Sequence, residues 1–157
     1  MRAPLQSNKA AAKRGTKKET VTYPIAVVRL IVCDNNGGAL LLQRSHTAYG
    51  AGKWCLPGGK VDHGITVEQA VVKELKEETR LDCLASTFLF YQDSLPPRPG
   101  AMHCINLYFE CKYSGEVVLN EESSRYAWVN PAELAEYDIV FRNDAGLKRY
   151  WEMKSEV

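Results

Sequence analysis

The chain has 157 residues, of which 45% are hydrophobic and 25% are charged, and its formal net charge is +1. This length fits one domain, and this composition is that of a globular protein rather than a fibrous one. The N-terminal part has no long apolar stretch, so we expect neither a membrane span nor a secretion signal.

Residues 1–20 are predicted to be a disordered basic tail, and residues 21–157 are predicted to form the domain. Six cations and no acid precede Glu19, namely Arg2, Lys9, Lys13, Arg14, Lys17 and Lys18. The other 14 basic and 19 acidic residues give a charge of about −5. The tail lacks apolar periodicity, as disordered segments do. A solvated tail is the preferred interpretation, and contact with nucleic acid is the alternative.

Strand signals follow the tail. Residues 23–33 and 39–43 are rich in branched apolar side chains, and the turn-forming residues 34–38 separate them. This pattern predicts a β-hairpin. A short apolar piece at 54–56 is expected to end at Pro57, Gly58 and Gly59.

A helix is predicted over residues 67–79. Thr66 suits its N-cap, and Gln69 completes a capping box. Further strands are predicted near residues 83–91, 103–112 and 126–129. A helical turn capped by Asn130 is predicted at 131–134, and a last helix is predicted at 145–153. This order predicts an α/β fold with a mixed β-sheet and helices packed on it.

The five cysteines indicate a reducing environment. They are Cys33, Cys55, Cys83, Cys104 and Cys111. Their odd number and the absence of C-x-x-C spacing favour neither a disulfide framework nor a zinc site. A cytoplasmic location is therefore expected.

Glutamates lie on the apolar side of the predicted helix. At about 100° per residue, Glu74 and Glu78 fall within the stripe formed by Val67, Ala70, Val71 and Leu75, and Glu77 falls at its edge. Like charges brought together in a partly buried place repel unless a cation compensates them. Clustered carboxylates suit Mg²⁺ or, as a second candidate, Mn²⁺. A salt-bridge cluster with Lys or Arg is the structural alternative.

This segment resembles the Nudix box. The box places a glycine six residues before a Glu and ends in Arg-Glu-apolar-x-Glu-Glu-x-Gly-apolar. Gly59, the three glutamates, Leu75 and Leu81 match it, and the preceding Trp54-Cys55-Leu56-Pro57-Gly58-Gly59-Lys60 is typical of MutT-like members. The box covers 23 residues, and the flanking elements agree over nearly all of residues 21–153.

The resemblance implies an α/β/α sandwich with a catalytic loop–helix–loop. Glu74, Glu77 and Glu78 would bind magnesium, and the Gly59 carbonyl would join them. Water would attack a phosphorus of a diphosphate, with the metal neutralising charge. Glu78, Glu77 or a glutamate from a later loop would accept the proton.

Three positions depart from the box. Ile65 replaces its first Glu, Lys73 replaces the Arg, and Arg80 replaces the Gly. Lys73 keeps the charge but cannot make a planar bidentate contact. Arg80 would cost about 1 kcal/mol if the left-handed C-cap persists. Because Ile65 lacks the carboxylate of the box, we expect reduced activity, and the alternative is that the chain is a non-catalytic member of the family.

Other candidates lie outside the box. Arg44 at a strand end and Lys60 beside the metal loop could bind substrate phosphates, or could simply be exposed cations. Glu121 and Glu122 precede a strand, where one of them, preferably Glu122, could approach the metal or serve as a base; a solvated turn is the equal alternative. Aromatic residues Tyr49, Trp54 and Tyr91 could stack on a base, although strand aromatics more often lie in the core. The loop at 96–100 could frame the pocket.

The expected function is therefore Mg²⁺-dependent hydrolysis of a nucleoside triphosphate or another nucleoside diphosphate derivative, which is a small-molecule substrate. One alternative is a catalytically weak nucleotide-binding module. Another is hydrolysis at the 5′ end of RNA, with the basic tail as the contact; otherwise no nucleic acid or membrane partner is expected. Similar proteins commonly form dimers, so a homodimer is the candidate assembly.

Overall fold

A computed structural model of the chain describes residues 23–46 and 49–156, so the tail predicted for residues 1–20 lies outside the described part. The described part begins with strands, continues through one helix and three more strands, and ends in two helices. The elements are β1 (Ile25–Val32), β2 (Ala39–Arg44), β3 (Trp54–Cys55), β4 (Gly58–Lys60), α1 (Val67–Thr79), β5 (Asp82–Ser94), β6 (Cys104–Ser114), β7 (Ser123–Val129), a 3-10 helix (Pro131–Glu136) and α2 (Asn143–Ser155).

The strands form two sheets with helices packed around them, which confirms the predicted α/β class. The larger sheet has the order β4-β1-β6-β5, and β1 runs parallel to β6 but antiparallel to β4. The smaller sheet is antiparallel, with the order β3-β2-β7. None of the described helices is long and apolar enough to cross a membrane.

The predicted hairpin of β1 and β2 is wrong. The intervening turn forms, with the Asp34 backbone nitrogen donating to the Gly38 carbonyl at 2.9 Å, and Cys33 and Ala39 make one bridge. Beyond that bridge the strands enter different sheets, because β4 and β6 already occupy both edges of β1. Leu30 and Leu40 are both fully buried, since each strand contributes to the core between its sheet and the neighbouring elements.

Strand β4 was not predicted from the sequence, which indicated only a stop at its glycines. Gly58 makes the pairing sterically feasible. A Cβ atom at that position would lie 2.0 Å from the Val28 carbonyl oxygen, so only glycine lets the two backbones approach this closely. The pairing of Gly59 with Val28 places the loop before α1 beside the core.

Helix α1 begins and ends where the sequence predicts. The Thr66 hydroxyl accepts from the Gln69 backbone, and the Gln69 side chain accepts from the Thr66 backbone, which completes the capping box. Ala70, Val71 and Leu75 are buried, as the wheel predicts, and they pack in the core with β1 and β2. The 3-10 helix is likewise capped by Asn130.

Candidate active site

One cleft of about 720 Å³ is lined by seven of the predicted metal-binding, catalytic and phosphate-binding residues. It opens between α1, the loop containing β4, strands β1 and β6, and the segments at 97–102 and 140–141. The predicted residues on its wall are Arg44, Gly59, Lys60, Glu74, Glu77, Glu78 and Glu122. The loop predicted to frame the pocket contributes Pro97 and Arg98.

The acidic side of the cleft is the C-terminal half of α1. Glu74 and Glu78 are half-buried, whereas Glu77 is exposed. This difference follows from the helical wheel, because Glu74 and Glu78 share the side that carries Val71 and Leu75. The sequence therefore places two carboxylates at the boundary between the core and the cleft.

The glycines of β4 hold these carboxylates at close range. The Gly58 backbone nitrogen donates to Oε2 of Glu78 at 3.1 Å. A Cβ atom on Gly59 would lie 2.6 Å from the carboxyl group of Glu74, so any larger residue would displace that group. The backbone of β4 is thus in direct contact with the carboxylates of Glu74 and Glu78.

Burial and like charge raise the pKa of both half-buried carboxyl groups. Burial raises the pKa of Glu78 to about 8, and the nearby charges of Glu74 and Glu122 act in the same direction. The Gly58 hydrogen bond opposes the rise. Burial, followed by the charge of Glu77, raises the pKa of Glu74. The protein's own cations therefore leave this negative charge incompletely compensated.

Glu77 has a nearby cation, as the salt-bridge alternative requires. Its carboxylate lies 3.7 Å from the Lys73 ammonium, which also contacts Asp62 at 2.5 Å. All three side chains are largely exposed, so the cluster contributes little to stability. Lys73, at the position of the box arginine, thus binds acids on the rim of the cleft.

The loop before β7 is fixed against α1. Asn120 donates from Nδ2 to the Glu77 carbonyl at 3.1 Å and accepts from the Glu122 backbone nitrogen at 3.0 Å. The Glu122 carbonyl in turn accepts from the Ser45 backbone nitrogen at 2.9 Å. This arrangement places Glu122 in the cleft wall, which does not include Glu121.

Two predicted cations also line the cleft. Arg44 donates from Nε to the Tyr49 carbonyl, and its guanidinium carbon lies 5.0 Å from the centre of the Phe141 ring. Lys60 is exposed beside Gly59. Of the aromatic candidates, Tyr49 lines the cleft and Trp54 lies in the core, as a strand aromatic commonly does.

Two of the residues that depart from the box, Ile65 and Arg80, lie away from the carboxylates of the cleft. Ile65 is half-buried against the core cluster and is not part of the cleft wall, so it adds apolar contact where the box has a carboxylate. Arg80 adopts the left-handed C-cap conformation with φ 64°, as considered from the sequence. Neither residue interrupts the contacts of Glu74 or Glu78 with β4.

Sequence reasoning missed several residues of the cleft wall, and three of them bear on its chemistry. Arg29 lies on β1, Asn106 lies on β6, and Phe141 precedes α2. Arg29 is the only charged residue within the apolar run 25–33, and Asn106 interrupts a similar run in β6. A polar residue inside a strand buried on both faces was the available signal.

The acidic donors suit a hard divalent cation by their chemistry. Within residues 23–46 and 49–156, no group of three or more His, Cys, Asp or Glu side chains is already arranged to coordinate a metal ion. Oε2 of Glu78 accepts a hydrogen bond from Gly58, and Oε1 of Glu77 lies 3.7 Å from the Lys73 ammonium, so one oxygen of each carboxylate has a partner within the protein. Carboxylates with uncompensated charge are nevertheless the ligands that Mg²⁺ and Mn²⁺ prefer.

Comparison with known proteins gives the family. Residues 22–150 match the family model described as the NUDIX domain. The chain is 35% identical over 124 residues to the nucleoside triphosphatase NudI of Escherichia coli O139:H28, and the match covers 71% of this chain and 88% of NudI.

Solved structures share the fold. The MutT protein of Methanosarcina mazei Go1 aligns with a TM-score of 0.76 at 24% identity, covering 87% of this chain and 99% of that one. A MutT NUDIX hydrolase of Burkholderia pseudomallei aligns with a TM-score of 0.71 at 25% identity, covering 81% and 98%. The chain therefore belongs to the Nudix family, and it is a hydrolase that acts on phosphoric anhydride bonds.

Proposed function

We propose that this enzyme hydrolyses nucleoside triphosphates with Mg²⁺ or Mn²⁺ as cofactor. The observation that carries the proposal is the composition of one cleft, whose wall contains the α1 carboxylates together with Arg44 and Lys60. The acids suit a cation, and the cations suit phosphates. The similarity to a relative named as a nucleoside triphosphatase supports the same substrate class.

Glu74, Glu77 and Glu78 would hold the divalent ion, together with the carbonyl of Gly59. Such an ion neutralises phosphoryl charge and makes water a better nucleophile. The close approach of Gly59 to Glu74 supports this assignment, because it brings the glycine backbone beside that carboxylate. The raised pKa values of Glu74 and Glu78 are the expected signature of a site built for added positive charge.

Arg44 and Lys60 would orient the phosphate chain. Arg44 is held by Tyr49 and packs beside Phe141, so its guanidinium is positioned before substrate arrives. Lys60 follows Gly59 and acts as a mobile point charge. Holding the anhydride against the carboxylate side lowers the entropic cost of the reaction.

In the reaction, a water oxygen bonds to phosphorus and a bridging phosphorus–oxygen bond breaks. The nucleoside triphosphate becomes a nucleoside monophosphate and pyrophosphate. Glu122 would accept the water proton, since it lines the cleft on a loop fixed to α1 and remains exposed. Glu77 and Glu78 are the other candidate acceptors.

A substrate panel tests the proposal. Nucleoside triphosphates, ADP-ribose, a sugar nucleotide and a 5′-triphosphorylated RNA are incubated with the full chain, with and without Mg²⁺. We expect turnover of triphosphates only with metal, and at least about a 100-fold loss in Glu78→Gln. Glu68→Gln is the matched control, because Glu68 is an exposed acid on the same helix outside the cleft. Metal-independent turnover, or equal losses in both variants, would contradict the proposal.

A further inference from the structure

A buried polar pair lies on the floor of the cleft. Arg29 on β1 is 8% exposed and Asn106 on the neighbouring β6 is 1% exposed. Nε of Arg29 donates to Oδ1 of Asn106 at 3.1 Å. Both residues are part of the cleft wall that contains the candidate catalytic glutamates, yet the hydrolysis proposed above uses neither of them.

The contact with Arg29 fixes the orientation of the Asn106 amide. A guanidinium can only donate, so the amide oxygen must face it and the NH₂ group must point elsewhere. Nδ2 of Asn106 is buried and has no hydrogen-bond partner among the described residues. Leaving such a donor unsatisfied is costly, which makes it a candidate contact for a bound ligand.

Arg29 is also incompletely paired. Among the described residues its side chain makes this one hydrogen bond and no ion pair, although the charge of Glu78 acts on it, and its guanidinium carbon lies 4.6 Å from the centre of the Phe141 ring. Its remaining N–H groups can only donate. The polar floor of the cleft therefore offers donors and no side-chain acceptor from this pair.

We propose that Arg29 and Asn106 read the nucleobase of the substrate and select an oxo group over an amino group. This inference rests on the proposed function and deepens it by naming the substrate class. A carbonyl oxygen, as on hypoxanthine, guanine or uracil, accepts hydrogen bonds from both side chains. An exocyclic amine, as on adenine or cytosine, presents donors to donors.

A nucleobase suits this floor better than a phosphate. A phosphate is strongly hydrated, and bringing it to deeply buried donors carries a large desolvation cost. Arg44 and Lys60 are more accessible cations for that role. The Phe141 ring, together with Val27 and Met102 in the same wall, provides apolar surface suited to a planar base.

Two pairs of nucleotides differ at the group being read. Inosine and adenosine triphosphates exchange the oxo for the amino group at one ring position, and uridine and cytidine triphosphates do the same; in both pairs the adjacent ring nitrogen also changes from a donor to an acceptor. We expect kcat/KM with Mg²⁺ to favour the oxo member of each pair by at least about tenfold, as a good polar base contact does. Asn106→Leu should reduce that ratio toward one, whereas Lys112→Leu, on an exposed residue of the same strand, should preserve it.

A second variant keeps the test decisive if Asn106→Leu fails to fold. Asn106→Asp keeps the shape of the side chain but replaces the unsatisfied donor with an acceptor, so the preference should shift toward the amino member. Thermal melting identifies variants that have lost the fold. Equal losses for both members of a pair would assign the Arg29–Asn106 contact to structure or phosphate binding and overturn the proposal.

Binding without hydrolysis separates this inference from the proposed function. Calorimetry compares inosine and adenosine monophosphates, which carry no anhydride bond. If no triphosphate is hydrolysed but inosine monophosphate binds at least about tenfold tighter, base selection stands and the proposed reaction fails. If triphosphates are hydrolysed and the two monophosphates bind equally, the reaction stands and base selection by this pair is overturned.

Discussion

The backbone nitrogen of Gly58 lies 3.1 Å from Oε2 of Glu78 and donates a hydrogen bond to it. This contact joins β4 to the last turn of α1. Gly58 also pairs with Arg29 on β1, so its hydrogen bond fixes the Glu78 carboxylate relative to the larger sheet. The position of the Glu78 carboxylate therefore depends on the backbone of a short strand that only glycines permit.

Gly59→Ala should impair catalysis more than stability. The added methyl group would lie 2.6 Å from the Glu74 carboxyl and displace it. We expect kcat/KM to fall by about tenfold to 100-fold, since small misplacements at a reacting centre are costly. Gly64→Ala is the contrasting control, because its Cβ meets open space but its φ of +91° is unfavourable for alanine. That variant should lose about 1 kcal/mol of stability and keep its activity. Comparable activity in both variants would show that the close approach at Gly59 is unimportant.

Stability without divalent cations should fall as the pH rises. The folded-state pKa of Glu78 is about 8, above the ordinary value of 4.5, so the folded protein binds this proton more tightly than the unfolded chain. The contribution is fully present below about pH 4.5 and is lost as the pH rises through about 8. Its size is on the order of a few kcal/mol.

Urea unfolding in EDTA at pH 5 to 9 measures this dependence. Glu78→Gln should flatten the curve, because a neutral amide replaces the titrating group. Mg²⁺ should stabilise the original protein most at high pH, where the carboxylate is ionised. A Glu78→Gln curve that parallels the unsubstituted one would assign the pH dependence to other groups.

Arg80→Gly should stabilise the protein. Arg80 ends α1 with φ 64°, a conformation that is unfavourable for residues with a Cβ atom, and glycine removes that cost. We expect a gain of about 1 kcal/mol in the free energy of unfolding. Arg80→Ala retains a Cβ atom and should show no such gain. A loss of stability in Arg80→Gly would mean that the arginine side chain makes a larger contribution than the backbone strain removes.

Asn143→Leu should destabilise the fold and the loop that leads into the site. The buried Asn143 side chain accepts from the Leu56 backbone at 2.9 Å and donates to the Tyr108 hydroxyl at 3.3 Å. Removing it leaves a buried backbone N–H unsatisfied, at a cost of about 2–3 kcal/mol. Lys148→Leu, on an exposed position of α2, should change the unfolding free energy little. Equal stabilities in the two variants would contradict this role for Asn143.

The local structure of α1 could be predicted because its signals are local. Thr66 and Gln69 define its start, and the apolar spacing of Ala70, Val71 and Leu75 defines its buried face. Glu74 and Glu78 follow from the same periodicity. The box pattern then placed Gly59 beside them, as the structure has it.

The partners of β1 could not be predicted in this way. A turn at residues 34–38 indicates a reversal of the chain, but sheet membership depends on long-range pairing with β4 and β6. Asn106 and Arg29 are 77 residues apart and meet only because β1 and β6 pair in parallel. The acidic side of the cleft could therefore be predicted from the sequence, whereas the floor proposed to read the base could not.

Direct titration with Mn²⁺ tests the central claim, that the α1 carboxylates hold the ion needed for hydrolysis. Electron paramagnetic resonance follows free Mn²⁺ as it is added to the original protein, Glu78→Gln and Glu68→Gln. We predict one site in the original protein, at least about tenfold weaker in Glu78→Gln and unchanged in Glu68→Gln. Unchanged Mn²⁺ binding in Glu78→Gln, with melting curves showing that all three proteins are folded, would contradict the claim.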